Sequence, residues 1–182
     1  MGLLSMIVGG VMDANKAIKQ NQAQGNDEVK TVVVQNRYSI DVPSFLTPTT
    51  KLSDDASLQY WNKTLDVTFQ VVDEPKSEFI EIAKEIDGIS LPDKLANITL
   101  SAMFDMDKTE IYDFTDTKIN GMNAVTLGAF QKRTFFKDAL YGTFAFIEGK
   151  DTMYQIIITS GGTSITKLAE KLSQAIHSFK EL

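Results

Sequence analysis

Two neighbouring segments near the C-terminal end of the chain are apolar at consecutive positions, and this restricts the fold more than any other feature. The segments are residues 141–148 and 152–159, and their centres read FAFI at 144–147 and III at 156–158. Successive side chains of a strand point to opposite faces, so such strands are buried on both sides. We therefore expect an α+β fold, a three-layer α/β/α sandwich built on a mostly antiparallel sheet.

Shorter alternating patterns predict the other strands of this sheet. Asn120-Gly121 is a strong signal for a two-residue hairpin, because both residues tolerate the left-handed backbone that such a turn requires. Asn62-Lys63 marks a second turn. The predicted strands are residues 31–34, 38–42, 58–60, 65–71, 111–119, 122–133, 141–148 and 152–159.

Three helices are available to cover the sheet. The first is predicted to begin at Pro75 and to end at Gly88, the second begins at Leu91, and the third is capped by Thr163 or Ser164. The apolar stripes are Phe79, Ile82, Ala83 and Ile86 in the first helix, Leu95, Ile98, Ala102, Met103 and Met106 in the second, and Ile165, Leu168, Ala169, Leu172, Ile176 and Phe179 in the third.

The N-terminal region is predicted to be separate from this domain. Residues 1–20 form an amphipathic helix, residues 21–29 a polar linker, and residues 30–182 the main domain. The apolar stripe of the helix contains Leu3, Leu4, Ile7, Val8 and Val11. In one interpretation this helix packs on the main domain of its own chain or on another copy of the protein. Packing on another copy would give a homo-oligomer. The other interpretation makes it an anchor for a protein partner or for peripheral contact with a membrane.

Composition excludes several classes of function. The net charge of −6 and the pI of about 4.8 disfavour nucleic acid as a partner, because its phosphates are also negative. The absence of cysteine removes disulfides, thiolate metal sites and thiol catalysis. His177 is the single histidine and cannot build a multi-histidine metal site. No metal, cofactor or catalytic residue is therefore predicted.

Two features of the sequence suggest more specific functions. Asp105, Asp107 and Thr109 match the nucleophile motif of Mg-dependent phosphatases of the haloacid-dehalogenase type, in which the first aspartate attacks phosphorus. That chemistry requires the motif at the end of a buried parallel strand, whereas the residues before Asp105 have helical spacing. Trp61 is placed beside a hairpin turn, where it either anchors a partner or packs under the loop 43–55.

Four segments share the order and hydrophobic pattern of a known family. They read RYSIDVPSFL at 37–46, NGMNAVTLGAF at 120–130, FAFIEGKDTMYQIIIT at 144–159 and IHSFKEL at 176–182. Together they extend over residues 30–182 and resemble the PsbP-like fold family. That family includes an extrinsic photosystem subunit, a Ran-binding nuclear-import regulator and bacterial DcrB-like proteins.

The resemblance implies an α/β/α sandwich used as a non-enzymatic binding or assembly module. Bacterial members are often exported, so it implies the cell envelope or periplasm, whereas the sequence as written has no signal peptide or lipobox cysteine and favours the cytoplasm. One cytoplasmic branch resembles the EagR chaperones, which hold apolar helices of secreted effectors. That function is the alternative to a binding or assembly module.

Overall fold

The computed structural model describes residues 28–132, 139–162 and 164–182. The strands in these ranges are β1 (Val29–Val34), β2 (Tyr38–Pro43), β3 (Thr47–Pro48), β4 (Ala56–Asn62), β5 (Val67–Pro75), β6 (Thr109–Ile119), β7 (Met122–Gln131), β8 (Leu140–Glu148), β9 (Thr152–Ser160) and β10 (Lys180–Glu181). The helices are α1 (Lys76–Ile82), α2 (Leu91–Met103) and α3 (Ser164–Ser178), with short 3-10 turns at Ala83–Glu85 and Met106–Lys108.

Seven of these strands form one antiparallel sheet in the order β3-β4-β5-β9-β8-β7-β6. The long pairing of β5 with β9 joins the two halves of the chain at the middle of the sheet. Strands β1, β2 and β10 form a second, smaller sheet, in which β10 pairs with Tyr38 and Ser39 of β2. The C-terminal end of the chain therefore returns to the first hairpin.

Each face of the large sheet carries its own core. The core under α1 and α2 includes Phe79, Leu95, Leu100, Phe144, Phe146, Met153 and Ile157. The core under α3 and the small sheet includes Tyr38, Phe69, Ala145, Ile147, Ile156, Leu172 and Phe179. Strands β8 and β9 contribute to both cores, as their uninterrupted apolar pattern predicts. The three-layer α/β/α arrangement is confirmed.

The start of α2 is fixed by reciprocal capping. The Ser90 hydroxyl accepts a hydrogen bond from the backbone N–H of Asp93 (3.3 Å). The Asp93 carboxylate in turn accepts one from the backbone N–H of Ile89 (2.7 Å). Pro92 follows at the second helical position, where its missing N–H costs no hydrogen bond. This boundary is where the sequence predicts it.

The apolar stripe of α2 differs from the expected one. Its buried residues are Pro92, Leu95, Ala96, Thr99 and Leu100, whereas Ala102 is exposed. The two leucines bury more apolar area than alanine does and so select the face that meets the sheet. The helix ends at Met103, so Met106 lies in the 3-10 turn and is 43% exposed.

The first and third helices also depart from the expected pattern. Helix α1 ends at Ile82, and Ile82 is 59% exposed because only about two turns rest on the sheet. Gly88 lies beyond the 3-10 turn and is not its cap. In α3, Ala169 is exposed and Ala175 is buried instead, with Leu168, Leu172 and Ile176.

A polar cluster ties the C-terminal strand to the rest of the fold. The buried Tyr154 hydroxyl donates to the Glu181 carboxylate (3.0 Å), which also accepts from the backbone N–H of Lys150 (2.9 Å). The neighbouring Tyr38 hydroxyl hydrogen-bonds to Ser57 (2.7 Å). Burial raises the pKa of Tyr38 and of Tyr154 to about 12 in each case. Strand β10 is therefore held by its side chains as much as by its two paired residues.

The predicted N-terminal helix, residues 1–20, lies outside the described residues, as does most of the linker. Val29, which the linker was expected to include, already belongs to β1. Among the described residues, no helix is long and apolar enough to cross a membrane.

Candidate interaction surface

Strand β6 forms one edge of the large sheet and presents aromatic side chains to solvent. Tyr112 is 37% exposed and Phe114 is 48% exposed. The strand pairs with β7 on one side only, and the pairing register shifts between Tyr112 and Thr115. Asp113 adopts a left-handed backbone at this point (φ 53°). The result is a β-bulge at which both aromatic side chains stay partly exposed.

Tyr112 is positioned by a glycine on the neighbouring strand. Tyr112 and Gly128 are directly paired across β6 and β7, and the phenol ring lies over the glycine. A Cβ atom at position 128 would overlap the ring. An aromatic side chain that covers a glycine on a paired strand stabilises a sheet edge. Burial, with a contribution from the Asp113 carboxylate, raises the pKa of Tyr112.

A groove of about 330 Å³ runs between this edge and α3, and we call it the β6–α3 groove. Its floor and walls include Tyr112, Thr126, Gly128, Thr143, Ser173 and His177. Thr126 and Thr143 are half-buried, so helix α3 leaves this part of the sheet face open. The groove is therefore bounded by a helix on one side and by an aromatic side chain on the other.

Charge is distributed unevenly around the groove. Glu110 and Asp113 are exposed along β6 beside Tyr112 and make this rim acidic. On the opposite rim, the Nδ1 atom of His177 donates to the backbone carbonyl of Ser173 (2.8 Å), since a carbonyl oxygen can only accept. In the neutral ring this leaves Nε2 as an acceptor. The surface thus combines aromatic contact area with carboxylates, which suits a partner that carries basic groups.

A second cavity of about 360 Å³ lies at the opposite end of α3, near Asp66, Met103, Thr159 and Gly161. The Asp66 carboxylate accepts a hydrogen bond from the backbone N–H of Gly161 (3.0 Å) and holds the turn before α3. This carboxylate therefore has a structural role.

The residues singled out from the sequence are not brought together by the described part of the fold. Leu3, Leu4, Ile7, Val8 and Val11 lie outside the described residues. Trp61 lies within β4, not at the hairpin tip, and pairs with Thr47 of β3. Its ring is half-buried, and Lys63 Nζ lies 4.2 Å from the ring centroid.

The aspartate motif lies in the connection between α2 and β6. The Asp105 carboxylate forms an ion pair with Lys108 Nζ (2.6 Å), and its backbone N–H donates to Gln131 (2.7 Å). Asp107 is exposed in the 3-10 turn. The motif precedes an antiparallel edge strand and does not follow a buried parallel one, so it lacks the setting that the phosphatase chemistry requires. Across the described ranges, no group of three or more His, Cys, Asp and Glu side chains is arranged to hold a metal ion.

Tyr112 and Phe114 are not among the residues predicted from the sequence to be functional. The stretch EIYDFTD at 110–116 shows alternating aromatic and acidic residues, which is a signal for a strand with at least one wet face. It does not reveal the bulge, because aspartate in a left-handed conformation within a strand has no distinctive neighbours.

Comparison with known proteins gives fold similarity without sequence similarity. No protein-family profile and no curated protein sequence matches the chain. The solution structure of cyanobacterial PsbP (CyanoP) from Synechocystis sp. PCC 6803 aligns with a TM-score of 0.59 at 9% identity, over 87% of this chain and 95% of that chain. The crystal structure of the Ran-binding protein Mog1p from Saccharomyces cerevisiae aligns with a TM-score of 0.57 at 12% identity, over 84% and 95%.

Sequence identities this low carry no information on activity, because one fold hosts many functions. Both alignments nevertheless extend over nearly the whole of the compared chains. They agree with the layer order and with the family resemblance of residues 30–182. This chain has the PsbP-like fold.

Proposed function

We propose that the protein is a non-catalytic binding module and that the β6–α3 groove is its contact surface for a helical segment of a partner protein. The observation that carries the proposal is the partly exposed aromatic ring of Tyr112, which forms one wall of an open groove. Exposed aromatic residues beside a cavity are typical anchors of protein interfaces.

The dimensions of the groove favour a helix as its occupant. Helix α3 leaves open part of the face of the outer strands β6 and β7, around Tyr112 and Thr126, and two strands together are about 10 Å wide. An α-helix with its side chains is about 10–12 Å in diameter. One helix laid beside α3 would therefore complete this layer of the sandwich. The acidic rim of Glu110 and Asp113 favours basic residues on the polar side of that helix.

The structural relatives support the general class of function. Mog1p is described as a Ran-binding protein, and PsbP shares the fold without a sequence match to this chain. We take from them only that this fold serves protein binding elsewhere. The partner chemistry proposed here derives from the residues of the groove.

A synthetic amphipathic helix tests the proposal. We expect the full chain to bind a labelled 18-residue peptide of leucine and lysine, measured by fluorescence anisotropy, and to bind a leucine and glutamate counterpart at least about tenfold more weakly. Tyr112→Ser should weaken binding about five- to thirtyfold, since an anchoring aromatic contributes about 1–2 kcal/mol.

Ile82→Ser is the matched control, because Ile82 is an exposed apolar residue of α1 on the opposite face of the sheet. Equal losses for Tyr112→Ser and Ile82→Ser would argue against a specific groove. Equal binding of the two peptides would contradict the basic character assigned to the partner.

The width of the groove also favours a second candidate function, that of an EagR-like chaperone for apolar helices. A chaperone of this kind would bind a leucine and alanine peptide as tightly as the leucine and lysine peptide, and its binding would not weaken with salt, because apolar contacts are not screened. A neighbouring gene that encodes a secretion effector would favour this function.

A further inference from the structure

We propose that residues 1–20 of the same chain occupy the β6–α3 groove as an intramolecular helix, which a partner helix must displace. This inference rests on the proposed function, namely that the groove accepts a helix. It adds that residues 1–20 occupy the groove when no partner is bound, so that a partner helix must compete with them.

The apolar pattern of the segment fits the groove. Three residues of β7, Thr126 to Gly128, line the groove over about 10 Å, so about two turns of an α-helix would lie in it. The apolar stripe of Leu3, Leu4, Ile7, Val8 and Val11 provides one continuous contact face. Gly9 and Gly10 each weaken an isolated helix by about 1 kcal/mol relative to alanine. The segment therefore requires a surface in order to be stably helical.

The charges of the segment complement the rim. Lys16 and Lys19 are the basic side chains of residues 1–20. They follow the apolar stripe on the same segment, and the exposed carboxylates of Glu110 and Asp113 lie beside Tyr112 on β6. Such rim pairs contribute mainly to orientation, since exposed ion pairs are screened by solvent. They favour this segment over an acidic one.

The linker is long enough for the two regions to meet. The backbone carbonyl of Glu28 accepts from Ser44 N–H (3.0 Å), and the next residue, Phe45, accepts from Asn62 at the end of β4 (2.7 Å). Residue 28 therefore sits beside β4, four strand spacings or about 19 Å from β7. Residues 21–28 span up to about 27 Å when extended. The segment can reach the groove of its own chain.

Disulfide trapping tests this placement directly, because the natural chain contains no cysteine. We expect the full chain with Val8→Cys and Thr126→Cys to form an intramolecular disulfide under mild oxidation, seen as a faster-migrating monomer on a non-reducing gel. One control pairs Val8→Cys with Ser101→Cys, on the exposed side of α2 across the sheet. The other pairs Asn15→Cys, on the polar side of the segment, with Thr126→Cys.

Disulfide formation at least about tenfold faster than in both controls supports the inference, and equal rates overturn it. A disulfide-linked dimer at low protein concentration also overturns it, since the occupant would then come from a second copy. Thr143→Cys replaces Thr126→Cys if that variant fails to fold. Saturating leucine and lysine peptide should slow the trapping several-fold, and an unchanged rate would refute displacement.

The trapping rate without peptide requires no partner, so the two proposals fail separately. If the disulfide does not form while the peptide still binds, the proposal of a resident helix is wrong and the groove remains a binding surface. If the disulfide forms but the chain binds no peptide, the proposed binding function is wrong and the N-terminal segment is a fixed part of the fold.

Discussion

At the scale of single residues, two buried hydroxyl groups decide how the C-terminal end is held. Tyr38 and Tyr154 are almost completely buried, with rings 5.6 Å apart between centroids in an edge-to-face arrangement. Each hydroxyl has a protein partner, Ser57 and Glu181 respectively. An unpartnered hydroxyl at such a site would cost about 1–3 kcal/mol. The Tyr154 contact therefore binds β10 directly, whereas the Tyr38 contact fixes β2, the strand that pairs with β10, to β4.

These two tyrosines predict a loss of stability at alkaline pH. Burial raises the pKa of both to about 12, above the ordinary value of 10.0. Stability from the neutral phenols is therefore fully present below pH 10 and is lost as the pH rises towards 12. Of the five tyrosines, we expect these two to ionise last and together with unfolding, as followed by tyrosinate absorbance and circular dichroism.

Glu181→Gln supplies the control for this prediction. The Glu181 charge contributes to the raised pKa of Tyr154, so the substitution should bring that pKa down while Tyr38 is unaffected. Ionisation of all five tyrosines near pH 10 in the folded protein would contradict the assignment.

Residue patterns predict left-handed backbone only where the turn has a standard form. Asn120 and Gly121 both adopt positive φ (49° and 88°) in the hairpin that the sequence predicts. Asp113 adopts a similar angle (53°) inside a strand, where no sequence rule expects it. The bulge follows from the pairing of β6 with β7 and from the Tyr112–Gly128 contact, which are tertiary interactions. Because tertiary interactions produce the bulge, the candidate site could not be predicted from the sequence.

At the scale of elements, the outer hairpin of β6 and β7 depends on one cross-strand contact. The Tyr112 ring occupies the space that a side chain at position 128 would fill. Gly128 itself is buried, so the ring shields both strands from water. The contact thus sets the wall of the groove as well as the stability of the edge.

A double-mutant cycle tests this coupling. We expect Gly128→Ala to lower the free energy of unfolding by about 1–3 kcal/mol, because the new methyl group displaces the Tyr112 ring. In the Tyr112→Ala background the same change should be neutral or stabilising by up to about 1 kcal/mol, since alanine restricts the unfolded chain. Guanidinium denaturation of the four proteins gives the cycle. Additive effects would show that the two residues are independent.

Strands were easier to predict than helix faces. The strand boundaries lie close to those expected from alternation, because a period of two is read directly from the sequence. The face of α2 was partly wrong, since Ala102 and Met106 are apolar yet exposed. Apolar residues surround much of that helix, and packing against Phe144 and Phe146 selects among them. Only tertiary contact distinguishes such faces.

At the scale of the whole molecule, the layer order was predictable and the open surface was not. Strands apolar on both faces require two covering layers, and the described residues contain both. The groove exists because helix α3 is narrower than the sheet face that it covers. That mismatch depends on where α3 crosses the strands, which no local pattern encodes.

Removal of residues 1–20 provides a prediction at this scale. Both cores lie within the described residues. We therefore expect the shortened chain to retain the circular dichroism spectrum, the cooperative unfolding and the oligomeric state of the full chain. Binding of the dye ANS should increase several-fold as the groove becomes open, because ANS reports exposed apolar surface. A change of oligomeric size on removal would instead assign the segment to an interface between copies. Unchanged ANS fluorescence would contradict its docking on the groove.

The bulge at Asp113 has a further consequence for solubility. A long, flat strand at a sheet edge is a template on which other chains can add strands without limit. The irregular backbone of β6 interrupts the row of hydrogen-bonding groups at its centre, and its carboxylates repel an identical edge. The same irregularity that leaves Tyr112 and Phe114 partly exposed therefore protects the protein from aggregating through that edge.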